Sequence, residues 1–259
     1  MKRFLTSRLL SGAGVVHGFS LRAGGVSIGP YASLNLGGSV GDEPEAVSEN
    51  HRRLRLAAGI ESEVATAHQV HGDRVVDARG REVLAPSGPQ EEGADALLAL
   101  DAGETVGVRV ADCVPILLHD EELGISAAVH SGWRGTRLAV AARAVRALQH
   151  ATGAEPGRML AAIGPGIGRC CYEVSPQLAA TFRSLFGPEA ADDPALREKP
   201  HLDLRHCVQS ALLRAGLSFG RIEQVEGCTS CDSVSFFSHR RDKGRTGRHL
   251  AFISASASK

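Results

Sequence analysis

Residues 105–118 carry the strongest β-strand pattern in the chain, and this pattern restricts the fold more than any other feature. Apolar residues alternate in the first half and run almost continuously in the second. These positions are Val106, Val108, Val110, Val114, Ile116, Leu117 and Leu118. Alternation indicates a half-buried strand, and a continuous apolar run indicates a strand covered on both faces. Residues 111–113 interrupt the pattern, and we expect a bulge or turn there that aims side chains.

The other predicted elements mix helices and strands without a regular βαβ rhythm. We expect strands at 125–129, 159–163, 221–228 and 249–254, and two strands joined by a tight turn within 64–76. We expect helices at 42–58, 138–150, 176–186 and 208–215. Residues 1–42 are rich in Gly and Ser, which indicates loops and short strands. The sequence therefore predicts one α+β domain over residues 1–259 with mixed sheets, not a doubly wound fold.

Three short segments at the ends of predicted strands each carry a ligand type for a soft metal: His71, Cys113 and His130. Two imidazoles and one thiolate form the ligand set of a zinc site that has three protein ligands and an open fourth position. Residues three apart in a strand point to opposite faces, so His68 and His71 are not expected to reach one metal together. We favour His71, because its place at the turn before Gly72 is the better exposed. The alternative interpretation is a core thiol and two ordinary turn histidines.

The turn after His130 is a candidate anion site. Gly132, Trp133 and Arg134 lie where a strand passes into a helix, so backbone N–H groups there lack partners and suit a phosphate. Arg134 adds a fork-shaped guanidinium donor. The alternative is that Trp133 packs in the core and Arg134 caps a neighbouring strand.

A second set of basic residues lies in the loop 239–248, which contains Arg240 and Arg241. Such a loop is usually a solvated surface. Here the glycines at 244 and 247 indicate a shaped loop, and we expect one arginine to close over an anionic substrate. Gly164–Gly168 is a weak phosphate motif, because it lacks both the Gly-x-Gly-x-x-Gly form and a Lys-Ser/Thr ending.

The remaining cysteines do not predict a disulfide scaffold in a chain of this length. Cys228 and Cys231 have the spacing of a zinc knuckle, but no second Cys-x-x-Cys or His pair completes four ligands. Adjacent cysteines such as Cys170 and Cys171 rarely serve one metal together. We expect these four to pack as small apolar side chains or to support the metal ligands indirectly.

Charge and composition exclude several classes of partner. Lys plus Arg and Asp plus Glu are both 29, so no long-range field attracts nucleic acid or an anionic membrane. Aromatic residues make up only 4%, which argues against base-stacking platforms. Arg8 interrupts the N-terminal apolar run before it reaches the length of a signal peptide, and no uncharged stretch is long enough for a membrane helix. We expect a cytoplasmic protein that is a monomer or a small homo-oligomer.

Several motifs taken together resemble those of the laccase-domain proteins, also known as the multi-copper polyphenol oxidoreductase, purine nucleoside phosphorylase or peptidoglycan-editing-factor family. The resemblance runs in order from about residue 15 to 253. It rests on His17-Gly-Phe-Ser20, Gly24 to Gly37, Gln69-Val-His-Gly72, Ala111-Asp-Cys-Val-Pro115, His130-Ser-Gly-Trp-Arg-Gly-Thr136, Cys170-Cys-Tyr-Glu-Val174, Phe237-Ser-His-Arg-Arg-Asp242 and Thr246-Gly-Arg248. Ser131, Val208 and Ala211 depart from the usual pattern, which puts helix packing or a minor substrate contact in doubt but not the metal.

The resemblance implies a four-layer α/β/β/α sandwich and a zinc ion on His71, Cys113 and His130. It further implies phosphorolysis of adenosine, inosine and methylthioadenosine, and deamination of adenosine. Within this interpretation Cys113, His130, Arg134 and Arg241 are the expected catalytic residues. Gly132, Trp133, Arg134 and Arg240 are expected to bind the nucleoside and phosphate. Asp112 and Glu173 are candidate proton donors.

Three rival functions remain open from the sequence. Cys113 could be the nucleophile of a hydrolase that edits a peptidoglycan precursor, with His130 as its base. Copper also binds His and Cys, which allows a copper-dependent polyphenol oxidase, although one trio of ligands cannot supply the four coppers of a true laccase. A non-enzymatic binding module would instead hold a closed zinc site with four ligands.

Overall fold

Two stacked β-sheets lie between layers of helices in the computed structural model, which describes residues 3–196 and 198–257. The strands are β1 (Phe4–Leu5), β2 (His17–Ser20), β3 (Val75–Asp77), β4 (Glu82–Leu84), β5 (Ala96–Ala99), β6 (Thr105–Val110), β7 (Val114–Asp120), β8 (Ile125–Ser131), β9 (Leu160–Ile163), β10 (Ile222–Gln224) and β11 (His249–Ser254). The α-helices are α1 (Arg8–Gly12), α2 (Pro44–Ala58), α3 (Trp133–Arg137), α4 (Val140–Thr152), α5 (Pro176–Phe186) and α6 (Leu204–Arg214).

The two sheets differ in size and in strand direction. The four-stranded sheet has the order β1-β2-β11-β6, and its neighbouring strands are antiparallel. The seven-stranded sheet has the order β10-β9-β7-β8-β5-β3-β4, in which β10/β9 and β3/β5 are parallel and the other pairs antiparallel. Strands β6 and β7 follow each other in the chain but belong to different sheets. Residues 111–113 are therefore the crossing between two layers and not a bulge within one strand.

Three apolar clusters show the layering. Leu54 of α2 packs with Leu250 and Phe252 on the outer face of the small sheet. A second cluster lies between the sheets and includes Leu117 and Ala128 of the large sheet. The third packs α4, α5 and α6 onto the outer face of the large sheet. This order confirms the predicted α/β/β/α sandwich.

Local signals explain most helix boundaries. Helix α5 begins at Pro176 because Ser175 accepts a hydrogen bond from the backbone N–H of Leu178. Helix α4 ends before Gly153, which adopts a left-handed conformation. Helix α6 begins at Leu204, four residues earlier than predicted, because Asp203 accepts from the backbone N–H of His206.

The segment 64–76 differs from the predicted pair of strands. Only Val75–Asp77 forms a strand in it, and residues 66–74 are an irregular connection. The backbone N–H groups of residues 70–73 bond to the side chains of Asp95 and Gln90 and therefore do not need a neighbouring strand as partner. No helix in the described part of the chain is long and apolar enough to span a membrane.

Candidate metal centre and its cavity

The structure brings together the three predicted metal ligands. One side-chain ligand atom from each of His71, Cys113 and His130 lies within 4.8 Å of the other two. Cys113 ends the crossing between the sheets, and His130 lies near the end of β8. The antiparallel register pairs Val114 with Ser131, which carries Cys113 beside Gly132. His71 approaches from the irregular segment, and its ring lies edge-on to that of His130 with centroids 4.8 Å apart.

Asp95, which the sequence analysis did not single out, organises this centre. Its fully buried carboxylate accepts a hydrogen bond of 2.7 Å from Nδ1 of His130. It also accepts from the backbone N–H groups of Val70, His71 and Gly72, at 3.2, 3.0 and 2.7 Å. Because Nδ1 is held by the carboxylate, Nε2 of His130 is the nitrogen left for a metal. A carboxylate behind a ligating histidine is the usual support of zinc sites.

The ionisation of the trio suits metal binding. Burial opposes a charged thiol at Cys113, but the facing imidazoles of His130 and His71 outweigh it and lower the pKa of the thiol. Burial likewise opposes charge on His130, yet the Cys113 thiolate and the Asp95 carboxylate raise its pKa. A thiolate facing a protonated imidazole is a pair in which a divalent cation can replace the proton.

Backbone conformation and one glycine allow the three ligand side chains to approach each other closely. A Cβ on Gly132 would lie 2.9 Å from Sγ of Cys113 and 3.0 Å from Cδ2 of His71, so only glycine fits there. His71 and Asp112 adopt positive φ values of 59° and 84°, which are uncommon for residues other than glycine. Such conformations persist where surrounding contacts hold them, and here they direct His71 and Cys113 toward each other.

A cavity of about 450 Å³ opens directly onto the trio. Its volume is in the range of small-molecule sites. Arg109, Arg240 and Arg248 contribute positive charge to its lining, and Tyr172 contributes an aromatic wall on which the guanidinium of Arg240 lies, 5.2 Å from the ring centroid. Nε of Arg109 is buried and has no hydrogen-bond partner among the described residues. The cavity therefore suits an anionic or partly anionic small molecule beside the metal ligands.

The turn after His130 faces a different depression. Trp133 and Arg134 line a neighbouring hollow that shares only His71 with the main cavity. The exposed guanidinium of Arg134 stacks on the Trp133 ring at 5.2 Å. Gly132 serves chiefly to make room for Cys113, as described above. The structure thus places the predicted phosphate donors Trp133 and Arg134 beside the metal ligands but outside the cavity that contains all three.

The neighbouring residues Arg240 and Arg241 differ in whether they face the cavity. Arg240 lines the cavity, whereas Arg241 does not. The guanidinium of Arg241 donates to the carbonyl oxygens of Thr229 and Phe236 and to the carboxylate of Asp242. The donors of Arg241 thus hold the loop that carries Arg240, and the catalytic role expected of Arg241 stays a prediction.

The two candidate proton donors have other partners, although Asp112 lines the cavity. Asp112 accepts hydrogen bonds from Oγ1 of Thr229 and the backbone N–H of Arg240, both at 2.6 Å. The carboxylate of Glu173 faces Lys199 at 3.6 Å, and Glu173 does not line the cavity. Asp112 therefore positions the loop of Arg240, and Glu173 lies outside the cavity.

Sequence reasoning missed Asp95 and Arg109 because neither lies in a motif that predicts chemistry. Asp95 directly precedes the apolar run Ala96–Ala99. An acidic residue at the start of such a run is the signal that could have identified it. Arg109 lies between Val108 and Val110 in β6, at a position where an alternating pattern allows any exposed polar residue. Gln69 pairs with the backbone of Arg109 in both directions at 2.8 Å, which fastens the irregular segment to β6.

The four cysteines that were expected to pack as small apolar side chains or to support the metal ligands lie next to each other instead. One Sγ atom from each lies within 4.8 Å of the others in a second cluster of Cys170, Cys171, Cys228 and Cys231. None of these four is buried, so they are not core residues. Cys207, by contrast, is buried in the apolar cluster under the helices.

Comparisons with known proteins identify the family of this chain. The family model described as multi-copper polyphenol oxidoreductase laccase matches residues 16–256. Purine nucleoside phosphorylase YlmD of Geobacillus stearothermophilus is 39% identical over 252 residues, which cover 93% of this chain and 90% of that protein. Adenosine deaminase RL5, from an unknown prokaryotic organism, is 34% identical over 83% of this chain and 86% of its own length.

A solved structure supports the fold as well. The crystal structure of YlmD from Geobacillus stearothermophilus superposes with a TM-score of 0.84 and 34% identity, covering 99% of this chain and all of that one. Sequence and fold thus agree with those of this relative over nearly the whole length. The chain belongs to the multi-copper polyphenol oxidoreductase laccase family, whose relatives here are named as purine nucleoside phosphorylases and an adenosine deaminase.

Proposed function

We propose that this protein is a zinc-dependent purine nucleoside phosphorylase that also deaminates adenosine. The observation that carries the proposal is the His71/Cys113/His130 centre at the base of a cavity with cationic walls. Two similar proteins that bear these activity names support it. The free thiols of all six cysteines suit a reducing compartment, which favours the cytoplasm.

The cavity offers separate groups for the two substrates of phosphorolysis. Arg109, Arg240 and Arg248 are the candidates to hold phosphate, since guanidinium groups bind its oxygens in a fork. Tyr172 offers an aromatic face, partly covered by Arg240, for the purine ring. A volume of about 450 Å³ accommodates a nucleoside and a phosphate together.

The proposed reactions balance without any redox partner. In phosphorolysis a phosphate oxygen bonds to C1′ of the ribose while the C1′–N9 bond breaks, and the purine leaves with a proton. In deamination water adds to C6 of adenosine and ammonia leaves. Zinc, when bound, would supply a Lewis acid and lower the pKa of a bound water to about 7. Asp95 keeps His130 oriented throughout, and the walls place substrate against the trio.

The test is an assay of inosine with phosphate, and of adenosine without it, on the protein loaded with zinc. We expect hypoxanthine and ribose 1-phosphate in the first case and inosine in the second. Cys113→Ala is expected to remove both activities, whereas Cys207→Ala, a matched cysteine control in the helix layer, is expected to keep them. Full activity of Cys113→Ala would overturn the proposal.

A cysteine hydrolase is the second candidate, because Cys113 as a thiolate beside a protonated His130 is also a nucleophile and acid pair. That function predicts hydrolysis of a peptidoglycan precursor that survives chelation and is lost on thiol alkylation. The phosphorylase instead predicts loss on chelation and recovery with zinc. The two treatments applied to one sample separate the candidates.

A copper-dependent polyphenol oxidase is a weaker alternative. The family description names this activity, and the ligand types of the trio also bind copper. It predicts oxygen-dependent turnover of a phenol by the copper-loaded protein. The same preparation assayed with inosine and phosphate shows which activity the centre supports.

A further inference from the structure

The cluster of Cys170, Cys171, Cys228 and Cys231 lies away from the cavity centre and has no part in the proposed reactions. Three Sγ–Sγ distances are 3.5 Å for Cys170–Cys228, 3.4 Å for Cys170–Cys231 and 3.3 Å for Cys171–Cys231. A disulfide needs about 2.05 Å, so none is formed at these distances. Four sulfurs around zinc, each about 2.3 Å from the metal, would lie about 3.8 Å apart.

The topology explains why two distant pairs meet. Strands β9 and β10 are parallel neighbours, and the loops that follow them leave the same edge of the sheet. An isolated bridge between Gly166 and Cys228 continues this pairing into the loops. This pairing places Cys170 and Cys171 next to Cys228 and Cys231, although about 60 residues of chain separate the two pairs.

The backbone at Gly168 accommodates the sulfur atoms of the cluster. The backbone N–H of Gly168 donates to Sγ of Cys228 at 3.2 Å. A Cβ on Gly168 would lie 3.1 Å from Sγ of Cys170 and 3.3 Å from Sγ of Cys228, so glycine leaves room for the cluster.

We propose that Cys170, Cys171, Cys228 and Cys231 bind a second metal ion, a structural zinc with four thiolate ligands. Four protein ligands close the coordination sphere, unlike the three of the His71/Cys113/His130 centre. Arg205 anchors the adjoining backbone by donating to the carbonyl of Val225 at 2.8 Å, and its positive charge offsets part of the thiolate charge.

The second zinc would brace one wall of the cavity. Tyr172 follows Cys171 directly and carries the stacked guanidinium of Arg240. Thr229 lies between the two ligands of the other pair and bonds through Oγ1 to Asp112, next to Cys113. The metal would therefore hold together two loops that contact the reactive cavity, without touching substrate.

The experiment is metal analysis of protein purified without chelators, with variants that separate the two centres. We expect about two zinc ions per chain in the wild type and about one in the Cys228→Ser/Cys231→Ser double variant. Cys113→Ser is also expected to keep about one, and Cys207→Ala, the matched control, to keep two. If the first centre binds no metal, the wild type and Cys113→Ser both hold one ion and the double variant none, which leaves this proposal intact.

X-ray absorption at the zinc edge of Cys113→Ser tests the ligands without relying on the double variant to fold. We expect a single shell of sulfur at about 2.3 Å. Iron in place of zinc, a mixed nitrogen and sulfur shell, or a mass lowered by two hydrogens per disulfide would each overturn the proposal. A zinc content of Cys113→Ser close to zero would overturn it as well.

Discussion

At the scale of single residues, Asp95 does most to shape the reactive centre. One carboxylate fixes the tautomer of His130 and also gathers three backbone N–H groups of the segment that carries His71. The two histidine ligands are thus oriented by the same buried group. Gly132 contributes by having no side chain, because any side chain there would displace Cys113 and His71.

The variant Asp95→Asn tests whether this carboxylate orients the two histidine ligands. The amide retains the shape but replaces a charged acceptor, so we expect zinc affinity of the trio to fall roughly 10–100-fold. Competition with a chelating dye, performed in the Cys228→Ser/Cys231→Ser background, reports this affinity alone. Unchanged affinity would show that Asp95 only supports the fold.

The variant Gly132→Ala tests whether the missing side chain at this position makes room for Cys113 and His71. Its Cβ would lie 2.9 Å from Sγ of Cys113, so we expect loss of zinc from the trio and loss of phosphorolysis. Gly12→Ala is the matched control, since a Cβ there meets nothing within 4 Å. Metal content and turnover are measured together, and a fully active Gly132→Ala protein would contradict the steric explanation.

At the scale of elements, the reactive groups occupy strand ends and the loops between them. Strand β11 begins at His249, whose Nε2 accepts a hydrogen bond from the backbone N–H of Phe237 at 2.8 Å. This contact closes the loop 237–248, which presents Arg240 and Arg248 to the cavity. Burial, assisted by the charges of Arg22 and Arg241, lowers the pKa of His249 to about 3.

The burial of His249 predicts a dependence of stability on pH. The imidazole is neutral in the folded protein, whereas in the unfolded chain it gains a proton near its ordinary pKa of 6.5. Between these values the unfolded state binds more protons, so stability falls as pH decreases from about 6.5 toward 3, by at most about 1.4 kcal/mol per pH unit.

Urea unfolding at several pH values measures this slope. We expect His249→Gln, which retains a neutral acceptor, to have a shallower slope than the wild type. The exposed residue His150 supplies the control in His150→Gln. Equal slopes for wild type and His249→Gln would assign the acid sensitivity to other groups. Among these, the pKa values of buried His17 and half-buried His51 are also lowered.

At the scale of the whole molecule, close stacking of the two sheets holds the reactive centre together. Cys113 lies on the crossing from β6 in one sheet to β7 in the other, so its position depends on the distance between them. Small side chains such as Ala128 and Ala162 of the large sheet permit the close approach, and both are fully buried between the sheets.

Ala128→Leu should separate the sheets. Three added carbons in a close-packed layer usually cost about 1–3 kcal/mol, and the shift should also weaken zinc binding at Cys113. Ala57→Leu on the exposed face of α2 is the matched control. Denaturation midpoints and metal content together test the coupling; lower stability with unchanged zinc affinity would show that the crossing tolerates the displacement.

Residue patterns by themselves determined the longer strands and helices, the ends of α5 and the ligand types His71, Cys113 and His130. Apolar spacing, caps and donor chemistry are local properties. The tertiary structure alone decided that β6 and β7 enter different sheets, that Asp95 stands behind His130, and that two cysteine pairs meet. Each of these depends on strand partners far apart in the chain. Sheet pairing is a sum of many weak, distant contacts, and no short stretch of sequence encodes it.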